Sequence, residues 1–93
     1  MAAQRFRLGR LLMTPGAQRA MAVASQDPLT LLARHSEGDW GDVGPQDRDA
    51  NERALVEGAR ILSTYQLAPE GPKLWVITEA DRAATTILLP EEY

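Results

Sequence analysis

The stretch Lys73–Pro90, KLWVITEADRAATTILLP, constrains the fold more than any other part of the chain. Trp75, Val76 and Ile77, then Ile87, Leu88 and Leu89, combine strand propensity with apolar bulk. Glu79–Ala84 breaks the apolar run with charged and small side chains and reads as a hairpin loop. The preceding RILSTYQL at 60–67 alternates as a strand, and Ala68-Pro69-Glu70-Gly71-Pro72 reads as a turn held between two prolines. The three strands predict an antiparallel meander. Setting Leu67 opposite Lys73 places Tyr65 opposite Trp75, and setting Glu79 opposite Thr85 places Ile77 opposite Ile87. One face then carries Ile61, Tyr65, Leu67, Trp75, Ile77, Ile87 and Leu89, and is expected to cover the helices. The other face carries Leu62, Thr64, Gln66, Val76, Thr78, Thr86 and Leu88. A slip of one residue would exchange the faces.

Upstream of the meander the signals are helical. Thr14-Pro15 pairs an N-capping hydroxyl with proline at the first helical position, and Ala17, Ala20, Met21 and Ala24 follow at helical spacing. Asp27-Pro28 repeats the start signal and sets Leu29, Leu32 and Ala33 on one face, with Arg34 and His35 in the last turn, where positive charge suits the helix dipole. A Gly-rich loop, Glu37–Pro45, holds Trp40, read as an anchor onto the core. Residues 46–57, QDRDANERALVE, form the clearest helix, with Gly58 as its C-terminal cap. Asn51 on that helix is expected to bond the preceding loop or reach a site. Phe6, Leu8 and Leu12 make a weak alternation before all of this. The expected architecture is therefore α+β: one domain over 1–93 with three N-terminal helices packed on a three- to four-stranded antiparallel meander, and residues 1–13 an edge strand or a flexible N-terminal arm.

Composition narrows the function classes. An apolar fraction of 44% with 25% charged residues is that of a folded chain rather than a disordered one. Without cysteine there is no disulfide, thiolate ligand or cysteine nucleophile, and a single histidine excludes a multi-histidine zinc site. No apolar run approaches the roughly 20 residues of a membrane span. The opening MAAQRFRLGRLLM is basic, but its apolar piece is too short for a secretory leader, so a cytoplasmic protein is expected. Net charge is −3, unevenly placed. Residues 1–36 hold five arginines against Asp27 alone, whereas residues 37–93 hold twelve acids against five bases. A basic patch for nucleic acid, or an acidic face that occupies a basic groove on another protein, would use that gradient.

Phosphate loops, dinucleotide fingerprints, nucleophile elbows and metal-binding helices are absent from the sequence. Asp39 and Asp42 flank Trp40 without the ligand spacing of a calcium loop, and no metal or cofactor is expected. One constellation remains. The meander register gathers Arg60, Thr78, Glu79, Arg82 and Thr86 near one end, and His35 comes from the helix packed nearby. Arginines to hold a phosphate, His35 or Glu79 as base, and hydroxyls would suit metal-independent cleavage of a phosphodiester. Trp40, Asp39, Asp42, Asn51 and Tyr65 are the accompanying candidates for binding. The competing reading makes Glu79, Asp81 and Arg82 a solvated hairpin loop.

The segments HSEGDWG at 35–41, GARILSTY at 58–65 and WVITEADRAATTILLPEEY at 75–93 resemble a small family of proteins carried by plasmids, phages and integrative elements of proteobacteria. The ITEADR…TTILLP ending is more loosely similar to the barnase–colicin–RelE class of metal-independent ribonucleases, from which the acidic, lysine-poor composition departs. The resemblance implies a mobile-element accessory protein, either a ribonuclease-like or toxin-type protein acting on RNA, or a non-enzymatic inhibitor of a host defence complex of the anti-CRISPR or anti-restriction kind. A monomer or weak homodimer with no membrane partner is expected.

Overall fold

A computed structural model describes residues 3–93. The chain runs β1 (Arg10–Met13), α1 (Pro15–Val23), α2 (Pro28–Ser36), α3 (Pro45–Glu57), β2 (Ile61–Gln66), β3 (Lys73–Thr78) and β4 (Ala84–Leu88), and ends in a 3-10 turn at Pro90–Glu92. The strands form one sheet in the order β1-β4-β3-β2.

This corrects the expected fold in two respects. The helices follow the first strand rather than leading the chain, and the sheet is mixed, because β1 lies parallel to β4 with Arg10 beside Ala84 and Met13 beside Ile87. The connection explains the direction. β2, β3 and β4 are a meander, so β2 and β4 point the same way. The three helices carry the chain back to the end of the sheet where β1 began, so β1 must share that direction. Of the expected edge strand or arm over 1–13, residues 10–13 are strand and the first two lie outside the described residues.

Each helix start follows the expected chemistry. The Thr14 hydroxyl accepts from Ala17 N–H at 3.2 Å and the Asp27 carboxylate accepts from Leu29 N–H at 2.9 Å. At the end of α3, Gly58 adopts φ +76°, a left-handed conformation that caps the helix at little steric cost. The apolar faces are less regular. α1 buries Ala17 and Met21 as expected, but α2 turns Leu31, Leu32, His35 and Ser36 inward and leaves Leu29 and Ala33 exposed. α3 buries only Asn51 and Ala54.

The meander register differs by one residue in both hairpins. Gln66 pairs with Lys73 and Tyr65 with Leu74, while Thr78 pairs with Thr85 and Val76 with Ile87. The two shifts cancel between β2 and β4, so only β3 is turned over. The helix-facing side is Ile61, Ser63, Tyr65, Leu74, Val76, Thr78, Thr85 and Ile87, all of them buried. The open side carries Leu62, Thr64, Trp75, Ile77, Thr86 and Leu88. Trp75 and Ile77, expected inside, lie on the open side, and Val76 and Thr78, expected outside, face the helices.

Two core clusters fill the space between the layers. One gathers Ala17, Met21, Leu31, Leu32, Tyr65, Leu67, Leu74, Val76 and Ile87 under α1 and α2. The other gathers Trp40, Ala54 and Ile61, with Phe6, Val43 and Leu55 at its margin, under α3.

Candidate functional site

The eight inward-facing positions of the sheet include three serine and threonine hydroxyls, and these hold His35. The Oγ of Ser63 lies 2.6 Å from Nδ1, and the Oγ1 of Thr78 lies 2.9 Å from Nε2. Thr78 Oγ1 is in turn 2.7 Å from Thr85 Oγ1, which donates to the Leu8 carbonyl at 2.7 Å. A carbonyl only accepts, and each hydroxyl has one proton, so the direction of the whole file is fixed. Thr85 donates to Leu8, Thr78 donates to Thr85, His35 Nε2–H donates to Thr78, and Ser63 donates to a bare Nδ1. The neutral Nε2–H tautomer is the one that satisfies every member.

His35 is 0% exposed, and its ring lies edge-on to Phe6 at 5.1 Å and to Trp40 at 6.0 Å between centroids. Burial, reinforced by the positive charge of Arg82, lowers its pKa to about 4. The expectation that His35 is a cation at the C-terminal end of its helix is thereby corrected. Arg34 takes that place, bonding Asp39 at 2.7 Å and covering the Tyr65 ring at 4.5 Å. A Ser–His contact is the geometry of nucleophilic catalysis, but Ser63 is fully buried, so no substrate carbonyl or phosphate can reach its oxygen.

The remaining members of the expected constellation are dispersed. Thr78 and Thr86 lie on opposite faces of the sheet, because Thr86 pairs with Ile77 on the open side. Arg82 has φ +62° at the β3–β4 turn and directs its guanidinium inward. Its Nη1 donates to the carbonyls of Ala59 (2.7 Å), Glu79 (3.0 Å) and Ala80 (3.2 Å), and its Nη2 to that of Ala54 (3.1 Å). Arg82 thus closes the C-terminal end of α3 onto the hairpin, with both terminal nitrogens bonded to backbone carbonyls. Glu79 is exposed in the turn, and Asp81 accepts from Ala83 N–H, as in an ordinary polar hairpin loop. Arg60 sits on the open side beside the Tyr93 ring, which meets Trp75 edge-on at 5.6 Å. Among the described residues, no group of three or more His, Asp or Glu side chains is placed to hold a metal ion.

The binding candidates turn out to be structural anchors, with one exception. Trp40 is 1% exposed and donates its indole N–H to Glu52 at 3.0 Å, so it is the anchor its sequence context suggests. Asn51 bonds neither the preceding loop nor a surface site. Its amide donates to the Leu62 carbonyl at 2.7 Å and accepts from the Leu62 N–H at 3.1 Å, closing the outer edge of β2. The loop continues that closure: Thr64 N–H donates to Trp40 and Asp42 N–H donates to Thr64 at 2.7 Å. Gly41 between them has φ +74°, and a Cβ there would lie 2.0 Å from the Thr64 carbonyl oxygen. Tyr65 is buried with its hydroxyl on the Asp39 carbonyl, and burial pushes its pKa up to about 12. The Asp39 carboxyl is held below its usual range by the Arg34 bond. Of these five candidates, Asp42 alone has an exposed side chain with no ion pair among the described residues.

What remains accessible is charge. Between Glu37 and Glu57 the chain carries seven acids against Arg48 and Arg53. Asp42, Asp47, Asp49 and Glu57 are exposed there, whereas Asp39 and Glu52 are paired to Arg34 and Arg5. Ser63 and Thr85 escaped the sequence reading. Their signal is that each hydroxyl falls on the same face of its strand as large apolar neighbours, Ile61 and Tyr65 for one and Ile87 for the other. No helix among the described residues is long and apolar enough to cross a membrane. No protein-family model, no curated protein and no solved structure matches the chain.

Proposed function

We propose that this protein works by contact with another protein rather than by turnover, as a small accessory factor of the mobile-element kind that occupies a basic groove on a host defence complex. The observation that carries this reading is the state of His35. The chain's one histidine is neutral and buried, and both ring nitrogens are occupied by the Ser63–Thr78–Thr85 file. Arg82, the best-placed cation for a phosphate, is likewise occupied by four backbone carbonyls. These groups serve the fold, which supports a contact role over a ribonuclease-like one that would draw its base and phosphate clamp from them.

The contact surface in this reading is the exposed acidic rim of Asp42, Asp47, Asp49 and Glu57, carried by a loop and helix fixed to the sheet at many points. A rigid acidic surface loses little conformational freedom on docking and steers toward positive charge. The test has two arms. Purified protein incubated with labelled RNA should leave it intact. In cells carrying an active restriction or CRISPR system, expression should raise phage plating efficiency, and lysine at Asp42, Asp47 and Asp49 together should remove that effect while the protein stays folded. RNA cleavage that disappears in Arg60→Ala, or protection that survives the triple reversal, would overturn the proposal.

A further inference from the structure

The two edges of the sheet are treated differently. The β2 edge is closed by the Asn51 amide and by the 40–42 loop. On the β1 edge, Arg10 N–H bonds the Ala83 carbonyl and Thr14 N–H bonds that of Ile87, at 2.9 and 3.0 Å. In a parallel ladder the even residues of β1 therefore face β4, and Leu11 and Met13 direct N–H and C=O away from the sheet. No described residue bonds those four groups. Around them the surface is apolar: Leu11 is 51% exposed, Leu12 42% and Leu29 65%. Leu11 and Met13 line a groove of about 360 Å³ with Pro28, Leu29 and Leu32, in which Asp27 is the one charged lining residue.

We propose that this edge pairs with a second copy of the chain, β1 against β1 in antiparallel register about a two-fold axis at Leu12. The result would be one sheet of eight strands. In that register Leu11 of one copy opposes Met13 of the other, so both outward pairs of backbone groups are satisfied, and Leu12 meets its own counterpart. Arg10 then falls opposite Thr14 of the second copy. Thr14 donates its hydroxyl to the Glu92 carboxylate within its own chain, so that carboxylate stands beside the arriving Arg10. Arg10 has no salt bridge among the described residues, and the pairing supplies one twice. Charge complementarity thus favours a second copy over an acidic peptide from elsewhere, which would have to displace nothing but would meet Glu92 as a like charge. Because the β2 edge is closed, pairing stops at two copies and cannot grow into a fibre. The interface also lies at the opposite edge from α3, so the acidic rim stays free in both copies.

The chain has no cysteine, which makes the register testable. Opposed residues at a narrow antiparallel pair have Cα atoms roughly 4.5 Å apart, within reach of a disulfide. Leu12→Cys should therefore cross-link to dimer under mild oxidation much faster than Leu11→Cys, whose counterpart is Met13, or Val23→Cys on an exposed helix position. By sedimentation equilibrium the unmodified protein should show a monomer–dimer equilibrium. Leu12→Lys, which sets two ammonium groups face to face, should weaken it by about tenfold or more. Arg10→Glu should weaken it as well, with unchanged circular dichroism in both variants. A monomer at every concentration up to about 1 mM would overturn the proposal, as would Leu11→Cys or Val23→Cys cross-linking as fast as Leu12→Cys.

Discussion

The two halves of the helix layer are attached to the sheet by different means. Under α1 and the body of α2 the contact is apolar side chain against apolar side chain, from Ala17 and Met21 to Leu74, Val76 and Ile87, and only the last turn of α2 adds a polar contact through His35. Under α3 it is largely polar, because that helix buries only Asn51 and Ala54. Its attachment comes from side chains that bond backbone: Asn51 to Leu62, and Arg82 to Ala54 and Ala59. Trp40 and Glu52 add an indole bond, and His35 stands behind them in its file of hydroxyls. Apolar contacts are non-directional and forgive small changes of shape, whereas each of these bonds has a definite partner that suffers if it is lost. The α1–α2 half supplies bulk stability, and the α3 half supplies specificity of placement.

Substitutions test that division, and the largest effect belongs to the polar half. Trp40→Ala removes a buried indole from the contact between loop, Phe6 and His35 and should cost about 3–5 kcal/mol in chemical denaturation. Next comes pH. His35 has a folded pKa of about 4 against an ordinary 6.5, so the unfolded chain takes up its proton first as pH falls. Stability due to the neutral ring is complete above pH about 6.5 and is lost progressively toward pH 4, by about 3 kcal/mol in total. Denaturation midpoints measured across that window should fall, and His35→Gln should flatten the fall. An unchanged slope in that variant would assign the pH dependence to carboxylates instead.

Asn51→Ala leaves the Leu62 N–H and C=O without partners at a covered edge and should cost about 1–3 kcal/mol. In the apolar half, Leu74→Met keeps volume and hydrophobicity and should cost less than about 1.5 kcal/mol although Leu74 is fully buried. The smallest effect is expected for Arg5→Ala, which breaks a half-exposed ion pair with Glu52 and should change stability by about 1 kcal/mol or less. If Leu74→Met proved more damaging than Asn51→Ala, the contrast between the halves would collapse.

The sequence was legible where local chemistry acts alone. The caps at Thr14, Asp27 and Gly58 and the position of each helix follow from residues within one turn of each other. The faces of β2 and β4 also follow, since Gln66 on one and Thr86 on the other mark the outer side. β3 offered no such mark: Leu74 and Val76 alternate with Trp75 and Ile77, so both faces are apolar and its orientation depends on turn length. Each turn is one residue shorter in effect than the prolines and charges suggest. Leu67 N–H bonds the Pro72 carbonyl, and Glu79 N–H bonds that of Ala84. That single strand moved Thr78 from the open face to His35 and so dissolved the constellation. The parallel placement of β1 was equally hidden, because a four-residue strand has too little alternation to state its partner.

The Asn51 side chain copies what a neighbouring strand would offer Leu62, one donor and one acceptor at peptide spacing. A marginal strand normally exchanges its amide hydrogens with solvent quickly. Here the Leu62 amide can exchange only when α3 lifts away, and the Thr64 amide only when the Trp40 loop does, so two neighbouring protons become separate clocks for two separate openings of the molecule.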